Sequence, residues 1–578
     1  MKRLLTLSAL LLFLSVVCSA KPKTVALRLV GTTDVHGSFF PIDFITRKPR
    51  PGSTARLSTY VKQLRADESQ TVVLLDAGDI LQGQPTSYFY NYENTQKENI
   101  AASVINYLNY DVQVIGNHDV EPGHAVYDKW ISEVGCPMLG ANVIDVATGK
   151  PYLQPYVILK RNGVRIAVFG MLTPAIPNWL QENIWKGLRF EEMVACARKW
   201  IPYIEKHEKP DLIVGVFHSG KEGGITTADY EEDASLKVAK EVPGFDVVFF
   251  GHDHTVFNGT VTNTAGKEVI CMNAANNARF VSDVHIEMSK QHGRWTITNK
   301  YGEIIDLAPY AIDEEYMAHF KPQLDEINGF VNRPIGKFAH SITTRDCYFG
   351  SSAFTDLILN LQLEITGADI AFNAPLQFNA SINEGPVYVS DMFNLYKFEN
   401  QLYVMKLSGE EIRKHLEMSY DQWVNTMTSP DDHLLLLSES TFGDQQRLGF
   451  KNFSFNFDSA AGIDYVVDVT KPDGEKVKIL QMSNGEPFEE SKIYTVAINS
   501  YRANGGGELL TRGAGIPKEE LESRIIWRSE RDQRHYLMQE IEKKQVLDPK
   551  PNNNWRFIPE EWVREAGRRD SLILFSHK

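Results

Sequence analysis

From residue 24 to about 308 the chain alternates short apolar, β-branched runs with longer amphipathic stretches. The runs occupy 25–30, 72–75, 112–115, 164–169, 212–217 and 247–250. Near-continuous apolar runs of this length predict strands buried on both faces. The stretches Ile100–Leu108 and 191–205 carry helical periodicity and fit between them. Together they predict a layered α/β domain over 21–311. Residues 312–331 read as one charged amphipathic helix, within a linker over 312–334. A break at Asn332-Arg333-Pro334 then opens a smaller α+β domain over 335–548. It contains a helix over Ala353–Thr366 and strands at 403–407, 465–469 and 495–498. The tail, 549–578, is rich in Pro and Asn at its start and is expected to pack loosely.

The first twenty residues follow another pattern. Lys2 and Arg3 precede an apolar run over 4–17, and Ser19 and Ala20 follow. This predicts a signal peptide over 1–20 and an exported, periplasmic chain. Cys18 offers an alternative, a lipid anchor on a membrane surface. The run is too short to span a bilayer, which takes roughly 20 residues, and no later segment approaches that length without charges, so no transmembrane segment is expected. Four further cysteines lie far apart without CxxC spacing, which argues against a thiolate metal cluster.

Length and charge narrow the function. A chain of 578 residues exceeds one compact core. A net charge of −14 argues against binding a nucleic-acid polymer. It leaves room for a small anionic substrate, because bound cations reverse the local field.

Five polar clusters each follow a predicted strand: Asp34-Val35-His36, Gly78-Asp79, Gly116-Asn117-His118-Asp119, His218, and Gly251-His252-Asp253-His254. Ligands of open α/β sheets bind beyond the carboxyl ends of the strands. A single Asp or His at a strand end is ordinarily a cap or turn residue; five in order are not. Asp34 and His36, like His252 and His254, are two apart, and in extended chain such a pair would project to one side. The glycines before Asp79, Asn117 and His252 are expected to make tight turns. Asp34, His36, Asp79, Asn117, His218, His252 and His254 supply carboxylates, imidazoles and one amide. That donor set suits Mn, Zn, Fe or Co, and seven ligands exceed what one four-coordinate ion uses. Two divalent ions follow, the arrangement that clamps attacking and leaving oxygens in phosphoryl hydrolysis.

The order DxH, GD, GNHD, H, GHDH resembles the calcineurin-like metallophosphoesterases. Over most of the chain the resemblance extends to the exported 5'-nucleotidase family, a metal domain joined to a nucleotide-binding domain. It implies that Asp34, His36, Asp79 and His254 hold one ion. Asp79, Asn117, His218 and His252 would hold the other, with Asp79 shared. It also implies that His118 stays off the metals and either stabilises the transition state or protonates the leaving oxygen. Some members place an Asp three residues after this histidine. That position is Glu121 here, and Asp119 is also close, so either is a candidate partner.

The resemblance speaks to substrate as well. Where 5'-nucleotidases carry an NGGGIR stretch with a phosphate-binding arginine, this chain has Phe372-Asn373-Ala374-Pro375-Leu376-Gln377. That form is similar to the 2',3'-cyclic-nucleotide 2'-phosphodiesterase/3'-nucleotidase branch, as are Leu395-Tyr396-Lys397-Phe398-Glu399-Asn400, the stretch 457–472 and Asn499-Ser500-Tyr501-Arg502-Ala503. It implies a base held between Phe398 and Tyr501, with Asn400 beside them. The alternatives are a 5'-nucleotidase or UDP-sugar hydrolase, and a non-catalytic surface nucleotide-binding protein. A metallopeptidase would want HExxH, which is absent.

Overall fold

The computed structural model describes residues 23–442 and 445–576. The expected leader, 1–20, and Cys18 lie outside the described residues. Among those described, no helix is long and apolar enough to cross a membrane.

The first domain is two six-stranded sheets packed face to face, with helices outside both. In the first sheet Lys23–Thr32 runs parallel to Gln70–Asp76, which continues to Val112–Val114. In the second, Leu212–His218 lies parallel to Val164–Leu172 and to Val247–Phe250. Period-two alternation explains why the runs are apolar without interruption. Leu29, Val73, Val168, Val214 and Val216 fill the layer between the sheets. Their neighbours Val30 and Leu74 face helices on one outer side, and Phe169, Ile213 and Phe217 face helices on the other. The sheets approach so closely that a Cβ on Gly31 would lie 2.5 Å from the Phe249 ring.

The chain leaves this domain through two helices, Glu314–His319 and Lys321–Val331, where one was expected. Pro322 at the start of the second has no N–H for the preceding turn, and the helix begins afresh there. Tyr316, Phe320 and Ile327 are buried, so the connection is packed along its length.

The second domain is built on a five-stranded sheet in which Ile493–Asn499 lies between Ile370–Asn373 and Gln401–Ser408. The tail corrects the expectation of loose packing. Trp555–Ile558 pairs in parallel with Ile463–Asp468, and Trp555 and Phe557 are buried in the domain core. A helix over Glu560–Phe575 follows, with Asp570 buried and accepting from Leu435 N and His433. Alternating Trp555 and Phe557 are the apolar signal, masked in sequence by the polar residues around them. Cys136, Cys196, Cys271 and Cys347 are free thiols.

The domains meet in an apolar cluster that contains Tyr88 and Leu81 of the first and Phe393 and Leu537 of the second. Polar ties cross beside it: Tyr88 Oη donates to Asp532 (2.9 Å), Gln181 Nε2 to Gln401 Oε1 (2.7 Å) and Arg531 to Glu93 (2.7 Å).

Candidate metal centre and nucleotide cleft

The loops after the parallel strands of both sheets converge on one rim. Asp34 Oδ1 lies 3.2 Å from His254 Nε2 and 3.7 Å from His36 Nε2. The two imidazole nitrogens are 3.0 Å apart. Next to them, His218 Nε2 is 3.1 Å from Asp79 Oδ2 and 2.9 Å from Asn117 Oδ1. His252 Nδ1 reaches the same amide oxygen at 2.8 Å. Ligand atoms of Asp34, His36 and His254 lie within 4.8 Å of one another, as do those of Asp34, Asp79 and His218. All seven expected residues are therefore brought together. Asp34 belongs to both of these groups of three, and Asp79 joins the second.

The backbone reasons differ from those expected. Asp34 and His36 are not extended: both have φ near +48°, and Asp79, His252 and His254 also lie in the left-handed region. Such conformations cost roughly 1–3 kcal/mol each and persist where the surroundings enforce them. The enforcement is visible: Asp34 N donates to Gly78 O (2.8 Å) and His36 N to Asp79 O (2.9 Å). Of the three glycines only Gly78 makes a positive-φ turn. Gly116 and Gly251 serve for space, since a Cβ there would fall 2.1 Å from Asp79 Oδ1 and 1.8 Å from Thr33 Oγ1.

The donor atoms fit a cation. His36 Nδ1 faces Gln82 O (3.0 Å) and His218 Nδ1 faces Ala77 O (2.7 Å), so those nitrogens carry the protons. Their Nε2 lone pairs then point at other acceptors. Glu232 Oε1 likewise takes the Nε2 proton of His252 at 2.9 Å, turning Nδ1 toward Asn117 Oδ1. Asp34 Oδ1 is buried, with only the ring nitrogens of His254 and His36 beside it. Acceptors packed against acceptors are unfavourable unless positive charge sits among them. The field shows the same demand: burial pulls the His218 pKa down, yet Asp79 and Asp34 raise it to about 10.

His118 stands beside this cluster. Its backbone N–H donates to Asp79 Oδ1 (2.8 Å), and its Nδ1 lies 2.5 Å from Glu121 Oε2. Burial pulls its pKa down, while Asp79 and Glu121 raise it to about 9. Asp119 is not its partner, which corrects one of the two candidates. The Asp119 carboxylate is buried and accepts four backbone N–H groups, from Asp79, Ile80, Leu81 and Gly116, at 2.8–2.9 Å. It clamps the two loops that carry Asp79 and Asn117.

The second domain closes over this rim and leaves a cleft of about 490 Å³. His118, Glu121, His252 and His254 form one wall; Leu376, Phe398, Asn400, Phe455 and Tyr501 form the other. Phe398 and Tyr501 are thus both present, but Phe455 stands between them, with ring centroids 6.4 Å and 6.3 Å away. Phe453, 72% exposed, stacks on Phe455 at 5.0 Å. Sequence reasoning missed Phe453 and Phe455, although aromatics two apart in the polar stretch 451–456 were a signal available to it. It also missed Glu232, which no motif marks.

Residues 27–256 match the family model for calcineurin-like phosphoesterases, and residues 334–512 match that for the 5'-nucleotidase C-terminal domain. A 2',3'-cyclic-nucleotide 2'-phosphodiesterase/3'-nucleotidase of Haemophilus influenzae is 27% identical, over 93% of this chain and 89% of its own. The enzyme of that name from Salmonella typhimurium is also 27% identical, over 96% and 92%. The crystal structure of a 5'-nucleotidase precursor from Thermus thermophilus superposes with a TM-score of 0.63 at 21% identity, covering 93% of this chain and all of that one. The protein is a metal-dependent phosphoesterase of the 5'-nucleotidase family, with a calcineurin-like domain joined to the family's C-terminal domain.

Proposed function

We propose that the chain hydrolyses 2',3'-cyclic nucleotides and 3'-nucleotides. The observation that carries this reading is one cleft with an imidazole- and carboxylate-lined rim on one side and aromatic faces on the other. Two divalent ions held by Asp34, His36, Asp79, Asn117, His218, His252 and His254 would supply Lewis-acid polarisation of the phosphoryl group and activation of water. The other roles belong to side chains. Tyr501, with Phe398 and Phe455, offers faces on which a base stacks, worth roughly 1–3 kcal/mol per base. Base stacking fixes where the phosphate lies, which places the scissile bond over the rim. Glu121 holds the Nδ1 proton of His118, so Nε2 presents a proton to the departing ribose oxygen.

Two observations favour the cyclic and 3' substrates over 5'-nucleotides. The relatives matching over nine-tenths of the chain include enzymes of that name. In the stretch where 5'-nucleotidases carry a phosphate-binding arginine, Leu376 lines the cleft here. Gln377 turns aside to donate to Phe393 O at 2.8 Å. Initial rates on 2',3'-cyclic AMP, 3'-AMP, 5'-AMP and UDP-glucose test the reading. A kcat/KM at least about tenfold higher on the first two is expected; preference for 5'-AMP or UDP-glucose would overturn it.

A further inference from the structure

Behind the aromatic wall lies a buried charge that does not line the cleft. Tyr501 and Arg502 are neighbours on the short helix Ser500–Ala503, and the Arg502 guanidinium carbon lies 5.5 Å from the Tyr501 ring centroid. Tyr501 lines the cleft; Arg502 does not, and is 1% exposed. The five N–H donors of its guanidinium are all used. Nε and Nη2 grip the Asp458 carboxylate at 2.9 and 3.1 Å. Nη2 also donates to the Phe455 carbonyl (2.9 Å), and Nη1 to Asn456 Oδ1 (3.0 Å) and the Gly506 carbonyl (2.5 Å). Asp458 is braced from the other side by His415 Nε2 at 2.9 Å, and the His415 ring stacks on Phe372 at 4.3 Å.

These bonds join three segments that the sheet alone does not hold together: the stretch 455–458 with Phe455, the helix with Tyr501, and the glycine turn 505–507. The turn is pressed against both neighbours. A Cβ on Gly506 would fall 2.5 Å from the Tyr501 ring, and one on Gly507 2.2 Å from Arg502 Nη1. A buried ion pair adds little stability over a well-packed apolar replacement. What it does supply is fixed geometry, because a planar fork meets five acceptors in one arrangement only.

We infer that Arg502 is a positioning residue that sets the spacing between Phe455 and Tyr501, and through it the affinity for the nucleobase. It acts through the Phe455 carbonyl and the backbone of the Tyr501 helix, without touching substrate. The inference rests on the nucleotide reading above. It implies a split between binding and turnover: loss of the fork loosens the base site while leaving the rim of the first domain intact.

The test compares wild type with Arg502→Lys and with the double variant Asp458→Asn/Arg502→Met, all metal-loaded. The lysine keeps the charge and loses the fork. The double variant leaves no unpaired buried charge and carries the test if the lysine variant does not fold. Four quantities are measured: adenosine affinity by calorimetry, KM and kcat for 3'-AMP, and kcat/KM for glycerol 2-phosphate, which has no ring to stack. The expected result is an adenosine Kd and a 3'-AMP KM raised about tenfold or more, with 3'-AMP kcat and glycerol 2-phosphate hydrolysis within about twofold of wild type. Unchanged adenosine affinity would overturn the inference. So would glycerol 2-phosphate hydrolysis falling in step with the nucleotide, the mark of a general structural strut. Wild type that binds no adenosine and does not prefer 3'-AMP over glycerol 2-phosphate would instead reject the nucleotide reading.

Discussion

The two walls of the cleft are held in place by opposite means. On the rim of the first domain, carboxylates, imidazole nitrogens and an amide oxygen crowd together, and Asp34 Oδ1 is buried without a hydrogen-bond partner. On the second domain's wall, the buried guanidinium groups have protein partners: Arg502 meets the Asp458 carboxylate, and Arg534 donates to the carbonyls of Tyr396 and Lys397 under the loop that carries Phe398. The donors of the first wall are arranged as a divalent-ion site would need them. The polar groups of the second are satisfied by one another. On the proposed function, a site divided in this way would take its chemistry from one domain and its selectivity from the other.

The comparison breaks most visibly at the rim. Replacing Asp79 by Ala removes a carboxylate from the cluster and the acceptor for the His118 backbone N–H. Metal content measured by plasma mass spectrometry should fall below two ions per chain, and turnover by about 10³-fold or more; two ions bound at the wild-type rate would contradict the assignment. His118→Ala is the next largest, a loss of about 10²–10⁴-fold in kcat with both ions retained. If metal content fell too, His118 would belong to the metal set and not beside it.

Tyr501→Ala probes the other wall. Nucleotide KM should rise about 5- to 100-fold while metal content and glycerol 2-phosphate hydrolysis hold; equal losses on both substrates would remove Tyr501 from the base site. Glu232→Gln sharpens the boundary between the walls. Glu232 lines the cleft, yet its carboxylate orients His252, so metal affinity by competitive chelation should weaken about 10-fold or more. Affinity equal to wild type would leave Glu232 only a cleft residue. Asp119→Asn should have the smallest effect per metal-loaded molecule. It turns an amide donor toward backbone N–H groups and should lower the melting temperature, with kcat changed less than by Glu121→Gln. A kcat loss larger than that of Glu121→Gln would restore Asp119 as the partner of His118.

How much of this was legible in the chain follows from what each feature depends on. The strands of the first domain were readable because both of their faces are buried, which leaves unbroken apolar runs. The ligands were readable because each follows such a run. Their conformation was not: Asp34 and His36 reach one cavity through left-handed turns, fixed by backbone bonds to the Gly78–Asp79 loop some forty residues away. The choice between Asp119 and Glu121 was equally hidden. Positions two apart on a single turn point in different directions, and only the fold shows which one meets Nδ1 of His118.

The sequence by itself determined the layered α/β class of the first domain and picked out the seven candidate donors that the fold brings together, because these are local properties of runs and the residues that end them. Tertiary structure alone decided that Glu121 and not Asp119 meets His118, that Phe453 and Phe455 join the aromatic wall of the cleft, that Trp555 and Phe557 anchor the C-terminal segment in the core, and that Arg502 ties three distant stretches together. Each of these depends on segments far apart in the chain meeting at hydrogen-bond or van der Waals distance, and no periodicity or short motif encodes such a meeting.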